Sequence, residues 1–261
     1  MKNLFIVFTT LTAFLLLPVV VPSAYAQFEV TEPDLITDVK VRTPYNTGLK
    51  NGMTFNLLLT DFGFGVGGQY RRVLGNFTDG ILDVNISVLR DVKEQTFVNF
   101  FGQQTTPNKF NRILSIPMNA GLKHRMFSES INDNFRFYVL GTAGPVAAFI
   151  YPYFDNSRGF GVRLPDQFVY DVFEGWGEGY WDWGYNGKMA LGIDLGNNFR
   201  NVSSIEVGYH FNYFPNGIQV MEPNTFEFVS ENEITIIEGG GFDRQKFFGT
   251  VMIKFMFGGM W

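Results

Sequence analysis

Apolar and polar residues alternate with a period of two through most of the chain beyond residue 50. Met53, Phe55, Leu57 and Leu59 are interleaved with Thr54, Asn56 and Thr60, and Leu82, Val84, Ile86 and Val88 with Asp83, Asn85 and Ser87. Further on, Met189, Leu191, Ile193 and Leu195 alternate with Lys188, Gly192 and Asp194. Ile205, Val207, Tyr209, Phe211 and Tyr213 alternate with Glu206, Gly208, His210 and Asn212. In an extended chain, residues two apart share a face, so each stretch predicts a strand with one apolar and one polar side. Eight such segments fall near residues 52–60, 64–74, 80–90, 112–124, 134–147, 188–197, 203–214 and 246–258.

The last segment sharpens the picture. Val251, Ile253, Phe255, Phe257 and Trp261 lie on one parity, while Thr250 and Lys254 lie on the other. The connections between strands alternate in length. Those near 75–79, 125–133 and 198–202 are short, and those near 91–111, 148–187 and 215–245 are long; only the hairpin near Asp61 to Gly63 breaks the rule. A barrel crossing an outer membrane has short turns on the periplasmic side and long loops outside. An even strand count then returns the C-terminus to the periplasm. Eight strands satisfy this, and ten would also if Thr225 to Val229 and Ile234 to Ile237 joined the wall instead of projecting as a hairpin.

The other end of the chain agrees. Lys2, the apolar run from Leu4 to Val21 and the small-residue sequence Pro22-Ser23-Ala24-Tyr25-Ala26 read as an export signal over residues 1–26, cleaved before Gln27. No other stretch is apolar for the roughly 20 residues that a membrane helix needs. A membrane-embedded chain of this kind must therefore cross with strands, which satisfy their backbone polar groups only in a closed sheet. The expected organisation is a signal peptide at 1–26, a periplasmic or plug-like segment at 27–50 and a transmembrane antiparallel up-and-down β-barrel at 51–261.

Composition adds three exclusions. The 261 residues include 30 Phe and 29 Gly with only 17% charged residues, low for a soluble domain, where about a quarter is usual. Cysteine is absent, which removes disulfides, thiolate metal sites and lipid attachment through cysteine. The 20 Lys and Arg against 25 Asp and Glu give a net charge of −5 and no electrostatic basis for binding nucleic acid.

The export signal, the eight alternating segments, the asymmetry of loops and turns and the terminal aromatic strand together resemble the small outer-membrane β-barrel proteins of the OmpA, OmpX and OmpW type. The resemblance is architectural and covers most of the mature chain. It implies a bacterial outer-membrane location, contact with outer-membrane lipid and lipopolysaccharide, and recognition of Phe255, Phe257 and Trp261 by the barrel-assembly machinery. No peptidoglycan-binding domain follows the barrel, so wall anchoring is not implied.

Candidate chemistry gathers on the inward parity. A tight turn centred near Arg200 would set Asp194 opposite Glu206, and pairing Phe214 with Lys246 would set Glu206 opposite Lys254. These three would form one layer of a lumen that Arg71, Asp83 and His210 also face. Such a layer reads as a salt-bridge network filling a narrow barrel or as a proton-sensitive gate. His210 invites comparison with outer-membrane lipases and lipid A deacylases, but His210-Phe211-Asn212 has Asn where the deacylase pattern needs its serine. Ser204 lies about 20 Å away along the strand at the usual rise. Lys123 and Arg125 are expected near the periplasmic rim, where a basic cluster would contact lipid headgroups, and Lys123, like Arg71, could instead approach the acids of the lumen layer.

Residues 151–187 carry 12 aromatic residues, among them Trp176, Tyr180, Trp181 and Trp183, and form an acidic loop suited to contacting a ligand, lipopolysaccharide or the barrel's own rim. The acid spacing matches no calcium-loop pattern, and Gly239-Gly240-Gly241 lacks the Lys-Ser/Thr of a phosphate loop, so neither metal nor cofactor is expected. The leading expectation is a non-enzymatic barrel with a filled lumen and a structural or adhesive exterior. A narrow channel or carrier for small or hydrophobic molecules is the alternative, and a lipid-modifying enzyme using His210 is the third reading.

Overall fold

The computed structural model describes residues 42–98, 104–128, 134–164, 167–196, 198–230 and 233–261. Its strands are β1 (Asn51–Thr60), β2 (Gly63–Val73), β3 (Thr78–Leu89), β4 (Phe97–Val98), β5 (Gln104–Thr105), β6 (Asn111–Arg125), β7 (Phe135–Pro152), β8 (Tyr180–Leu195), β9 (Asn201–Ile218), β10 (Thr225–Ser230), β11 (Glu233–Ile237) and β12 (Gln245–Met260). Eight of them, β1, β2, β3, β6, β7, β8, β9 and β12, close into a barrel in that order, with β12 returning to β1. All the pairings are antiparallel.

Closure is made by the two ends of the folded chain. The β1 and β12 ladder runs from Gly52 opposite Met260 to Thr60 opposite Met252. Just beyond it, the N–H groups of Lys50 and Asn51 both donate to the Trp261 carbonyl at 3.0 Å, and the Trp261 N–H donates to Asn51 O at 2.8 Å. At the opposite end of the seam the Asp61 N–H donates to Thr250 Oγ1 at 3.2 Å, fastening the first hairpin to β12. No edge strand is left in the main sheet.

Alternation assigns the two faces of this wall. Phe55, Leu57, Val84, Ile86, Met189, Leu191, Val207, Tyr209, Val251 and Ile253 point outward and are exposed, whereas Asn56, Asp83, Lys188, Glu206, His210 and Lys254 point inward and are buried. An apolar outside around a polar inside inverts the arrangement of a soluble protein and is that of a barrel surrounded by lipid. Strands β1 to β3 have 10 to 12 residues, close to the roughly 9–11 that cross a bilayer. Strands β6 to β9 and β12 have 15 to 18, so one side of the wall stands taller toward the long loops.

The interior is stratified. At the short-turn end, Leu49, Phe199, Val202 and Met260 form an apolar floor with Val73 packed against it. At the long-loop end, Phe62, Leu89, Ile113, Val146, Ile150, Phe214, Ile218, Val220, Met221 and Phe248 form a larger apolar cap, with Phe242 against it. Between them lie the charged side chains of the lumen and a third apolar cluster, Leu58, Ile81, Tyr138, Leu140, Ala190, Met252 and Met256.

The cap is continuous with the loops. Segment 218–222 crosses beneath its neighbours, with Phe110 N and Asn111 N donating to Val220 O at 2.9 and 3.1 Å, and Phe242 N donating to Glu222 O at 2.8 Å. Tyr153 N donates to Phe110 O, and Tyr170 N to Tyr153 O, both at 2.9 Å. The three long loops are thereby joined by backbone hydrogen bonds over one hydrophobic core.

These findings settle the strand count at eight. The segments β10 and β11 pair only with each other, outside the barrel. The short β4 and β5 hairpin in the first long loop carries no alternation to predict it. The expected 148–187 loop is shorter than its sequence suggested, because β7 and β8 stay paired up to Ile150 opposite Tyr180. Tyr180, Trp181 and Trp183 are strand residues, in keeping with the β-propensity of aromatic side chains. The expected signal peptide, and the 27–50 segment as far as residue 41, lie outside the described residues.

Candidate functional site

The lumen holds two clusters of charge. In the lower one, toward the short turns, Lys123 Nζ lies 2.8 and 2.7 Å from the two carboxylate oxygens of Asp194, and Arg71 Nη1 lies 3.2 Å from Asp194 Oδ2. Arg71 Nε is 3.7 Å from Asp79 Oδ2, and Ser204 Oγ donates to Asp194 Oδ1. In the middle of the barrel, Lys254 Nζ lies 2.8 Å from both oxygens of Asp83, and Lys188 Nζ lies 2.6 Å from Asp83 Oδ2 and 3.7 Å from Glu206 Oε2. Each cluster pairs two cations with two carboxylates. Pairing matters in a region where an unpaired ion would cost several kcal/mol, and the buried Arg136, opposite Asp194 on the neighbouring strand, adds a further cation at the short-turn end.

Tyr138 connects the two layers. Its hydroxyl donates to Glu206 Oε1 at 3.0 Å, and its ring lies 3.5 Å from Lys123 Nζ. The reach is possible because position 192 is glycine. A Cβ there would strike the Tyr138 ring and hydroxyl, and Gly192 is the residue paired with Glu206 on the neighbouring strand. Asn56 completes the middle layer by donating to Asp83 Oδ1 at 3.1 Å and Asn85 Oδ1 at 3.3 Å.

The structure brings all six expected lumen residues, Asp194, Glu206, Lys254, His210, Arg71 and Asp83, inside the barrel, but it divides them between layers. Lys254 is opposite Glu206, as expected, although its ammonium reaches across the lumen to Asp83. Asp194 faces Ser204, and Glu206 faces Gly192. The turn is centred one residue earlier than Arg200, because Phe199 tucks into the apolar floor; a one-residue shift of a turn centre moves each cross-strand partner by two. Lys123 is not at a lipid-facing rim but inside, on Asp194. Lys188 and Tyr138 were not singled out from sequence; the inward parity of Lys188 on its strand was the available signal.

His210 is buried on β9, and its Nε2 has no hydrogen-bond partner. Asn85, Asn119, Lys188 and Lys254 surround it at a void of about 10 Å³. Ser204 is bonded to Asp194, not to His210. Among the described residues, no nucleophile and base are paired around this histidine.

On the exterior, Glu222 ties the last long loop to the other two. Its carboxylate Oε1 accepts the Arg163 N–H at 3.1 Å, and its own N–H donates to Asn108 O at 2.8 Å. Burial pushes this carboxyl up to about 7, against the opposing effects of the Arg163 N–H and the Arg163 charge. In the first long loop, Glu94 accepts from Lys109 Nζ at 2.7 Å and from Arg90 Nε at 3.2 Å.

A closed eight-stranded barrel with an apolar outer wall and a charge-compensated lumen places this chain architecturally among small outer-membrane-type β-barrels. No protein-family model matches it, and no curated protein matches it. Solved structures that align with it include Ail, the attachment invasion locus protein of Yersinia pestis, in complex with the heparin analogue sucrose octasulfate. That alignment has 12% identity over 80% of this chain and 95% of that one, with a TM-score of 0.31. The outer membrane protein OprG from Pseudomonas aeruginosa aligns at 12% identity over 80% of this chain and 91% of that one, with a TM-score of 0.33. At these scores the superposition carries no functional argument, and the fold assignment rests on the closed ladder.

Two outcomes follow for stability. Asp83→Asn strands two buried ammonium groups with Glu206 alone and should lower the unfolding free energy in lipid vesicles by about 3–5 kcal/mol, whereas Ser204→Ala should cost about 1 kcal/mol. Urea titration followed by tryptophan fluorescence measures both, and equal effects would contradict the layered network. For Glu222, the carboxyl has an ordinary value of 4.5 when released and about 7 in the folded cap. Its contribution is fully present below the lower value and is lost as pH rises through the upper one. Hydrogen-exchange protection of the Arg163 amide should therefore fall between those pH values, and Glu222→Gln should abolish the dependence.

Proposed function

We propose that this chain is an integral protein of a bacterial outer membrane, a non-enzymatic β-barrel whose lumen is filled by side chains and whose exterior loop cap does its work, structural or adhesive. The observation that carries this reading is the crowding of the interior by side chains. Two ion-paired clusters and the apolar side chains of Leu58, Ile81, Leu140, Met252 and Met256 occupy the lumen, an apolar layer lies toward each end, and the void beside the middle cluster is about 10 Å³, at the lower limit of what one water needs. A second pocket at the short-turn end, lined by Pro44, Arg71, Asp79, Lys123 and Asp194 among others, measures about 30 Å³, room for only two or three waters.

Several features support the location. The outward apolar band, the export signal read at residues 1–26 and the terminal strand fit a chain delivered to the outer membrane. In that setting Phe255, Phe257 and Trp261 act as the assembly signal, and Phe257 and Trp261 are exposed on the outer wall. Partners are then outer-membrane lipid and lipopolysaccharide, with the assembly machinery during biogenesis. Against enzymatic work stands the lack, among the described residues, of a hydroxyl nucleophile hydrogen-bonded to His210, Ser204 being bonded to Asp194 instead. A loop cap knitted by backbone hydrogen bonds is a stiff surface, which suits contact with a ligand better than passage of a solute.

Planar-bilayer recording tests the filled lumen. Purified protein should give no discrete openings, and Glu206→Gln should leave the trace unchanged. Regular unitary currents that respond to Glu206→Gln would establish the channel reading instead.

A further inference from the structure

The second long loop, between β7 and β8, does not stand free above the barrel; it lies against the outer wall. Trp176 sits on a short 3-10 turn, Trp176–Glu178, and packs on two outward-facing rings of β7, with ring centroids 5.9 Å from Phe149 and 6.0 Å from Tyr151. Phe173 extends this stack at 5.2 Å from Trp176, and Trp181 joins it at 5.0 Å from Phe149. Glycine makes the close approach possible, because a Cβ at Gly179 would strike the Phe149 ring. Arg112 anchors the loop by donating to the carbonyls of Asp171 and Tyr170 at 2.6 and 2.7 Å.

The resulting shelf remains open on its outer side. Phe168 is 85% exposed and Phe173 74%, with Val172, Trp176 and Trp181 also exposed. Its lower margin decides what covers it. Along β8 the same face continues from Trp181 through Trp183 and Tyr185 to Met189 and Leu191, all exposed and all without charge. The loop side of the patch carries the exposed carboxylates Asp171, Glu174 and Glu178, whereas on its strand side the patch is continuous with the apolar membrane band, and that continuity makes lipid its occupant. Trp and Tyr favour the level where acyl chains meet headgroups.

We propose that the segment from Phe168 to Trp181 is a membrane-interface foot, which docks on outer-leaflet lipid at the boundary between acyl chains and headgroups and widens the apolar band on the β7 and β8 flank. The proposal rests on the reading that the barrel spans a membrane. The foot makes the barrel's lipid contact asymmetric, taller on the side with the longer strands than beside β1 to β3. It also fixes the second long loop, and through Arg112 and Tyr153 the cap, relative to the membrane surface.

Depth-dependent fluorescence quenching tests it. A chain retaining only Trp176, with Trp181, Trp183 and Trp261 replaced by Phe, is reconstituted in phosphatidylcholine vesicles with acyl chains brominated either near the headgroup or near the chain end. A control carries Met189→Trp as its single tryptophan. Trp176 should be quenched more by shallow than by deep bromines and shielded from aqueous acrylamide, while the control is quenched most by deep bromines. Free access of acrylamide to Trp176 without lipid quenching, in a preparation whose control is quenched, overturns the foot and leaves the barrel in place. Lack of lipid quenching at both positions overturns the membrane reading and the foot together. A nitroxide on Phe173→Cys in the otherwise native chain reads the same depth by oxygen against nickel-chelate accessibility, should the Trp176-only chain fail to fold.

Discussion

The pairing of β1 with β12 is the constraint on which the rest of this molecule depends. A strand wall facing lipid can leave no backbone N–H or carbonyl without a partner, and only closure removes both edges at once. Here the seam is sealed from Lys50 and Trp261 at one end to Asp61 and Thr250 at the other. Closing on eight strands fixes a narrow bore, of a width that side chains can fill, and the buried polar side chains of this wall point into it. The polar lumen follows from the same step that produces the apolar exterior.

Filling the bore with charge succeeds only through compensation. Asp83 and Asp194 each sit between two cations, Glu206 is shared by Lys188 and Tyr138, and Gly192 makes room for the tyrosine that spans the layers. Apolar layers close both ends of this column. The upper one, built on Phe214, Val220 and Phe248, is also the base on which the exterior loops are ordered, so lumen and cap share one core. Exposed chemistry is then concentrated outside, on the loops and on the aromatic flank of β7 and β8.

Much of this is legible in the sequence because the period of two is local. Alternation alone places all eight barrel strands near their observed positions and gives the inward parity of Asp83, Asp194, Glu206, His210 and Lys254. The opposition of Lys254 and Glu206 follows from a single hairpin. Contacts across the bore are another matter. Asp83 and Lys254 are 171 residues apart and belong to strands that are not neighbours, so their meeting depends on closure and cannot be read from any hairpin. The displaced partner of Asp194 has a different cause, the burial of Phe199 in the floor, which shifts the turn centre. The strand character of Trp181 and Trp183 was obscured by the glycines and acids around them, which resemble a loop.

The orientation of the barrel is the central claim, and the absence of cysteine gives a clean background for measuring it. Single cysteines at Glu238, in the last long loop, and at Asn198, in the turn between β8 and β9, can be exposed to a membrane-impermeant maleimide on intact cells. Labelling at Glu238→Cys with none at Asn198→Cys until the outer membrane is permeabilised is the predicted result. Labelling of Asn198→Cys on intact cells, with Glu238→Cys protected, would contradict the account.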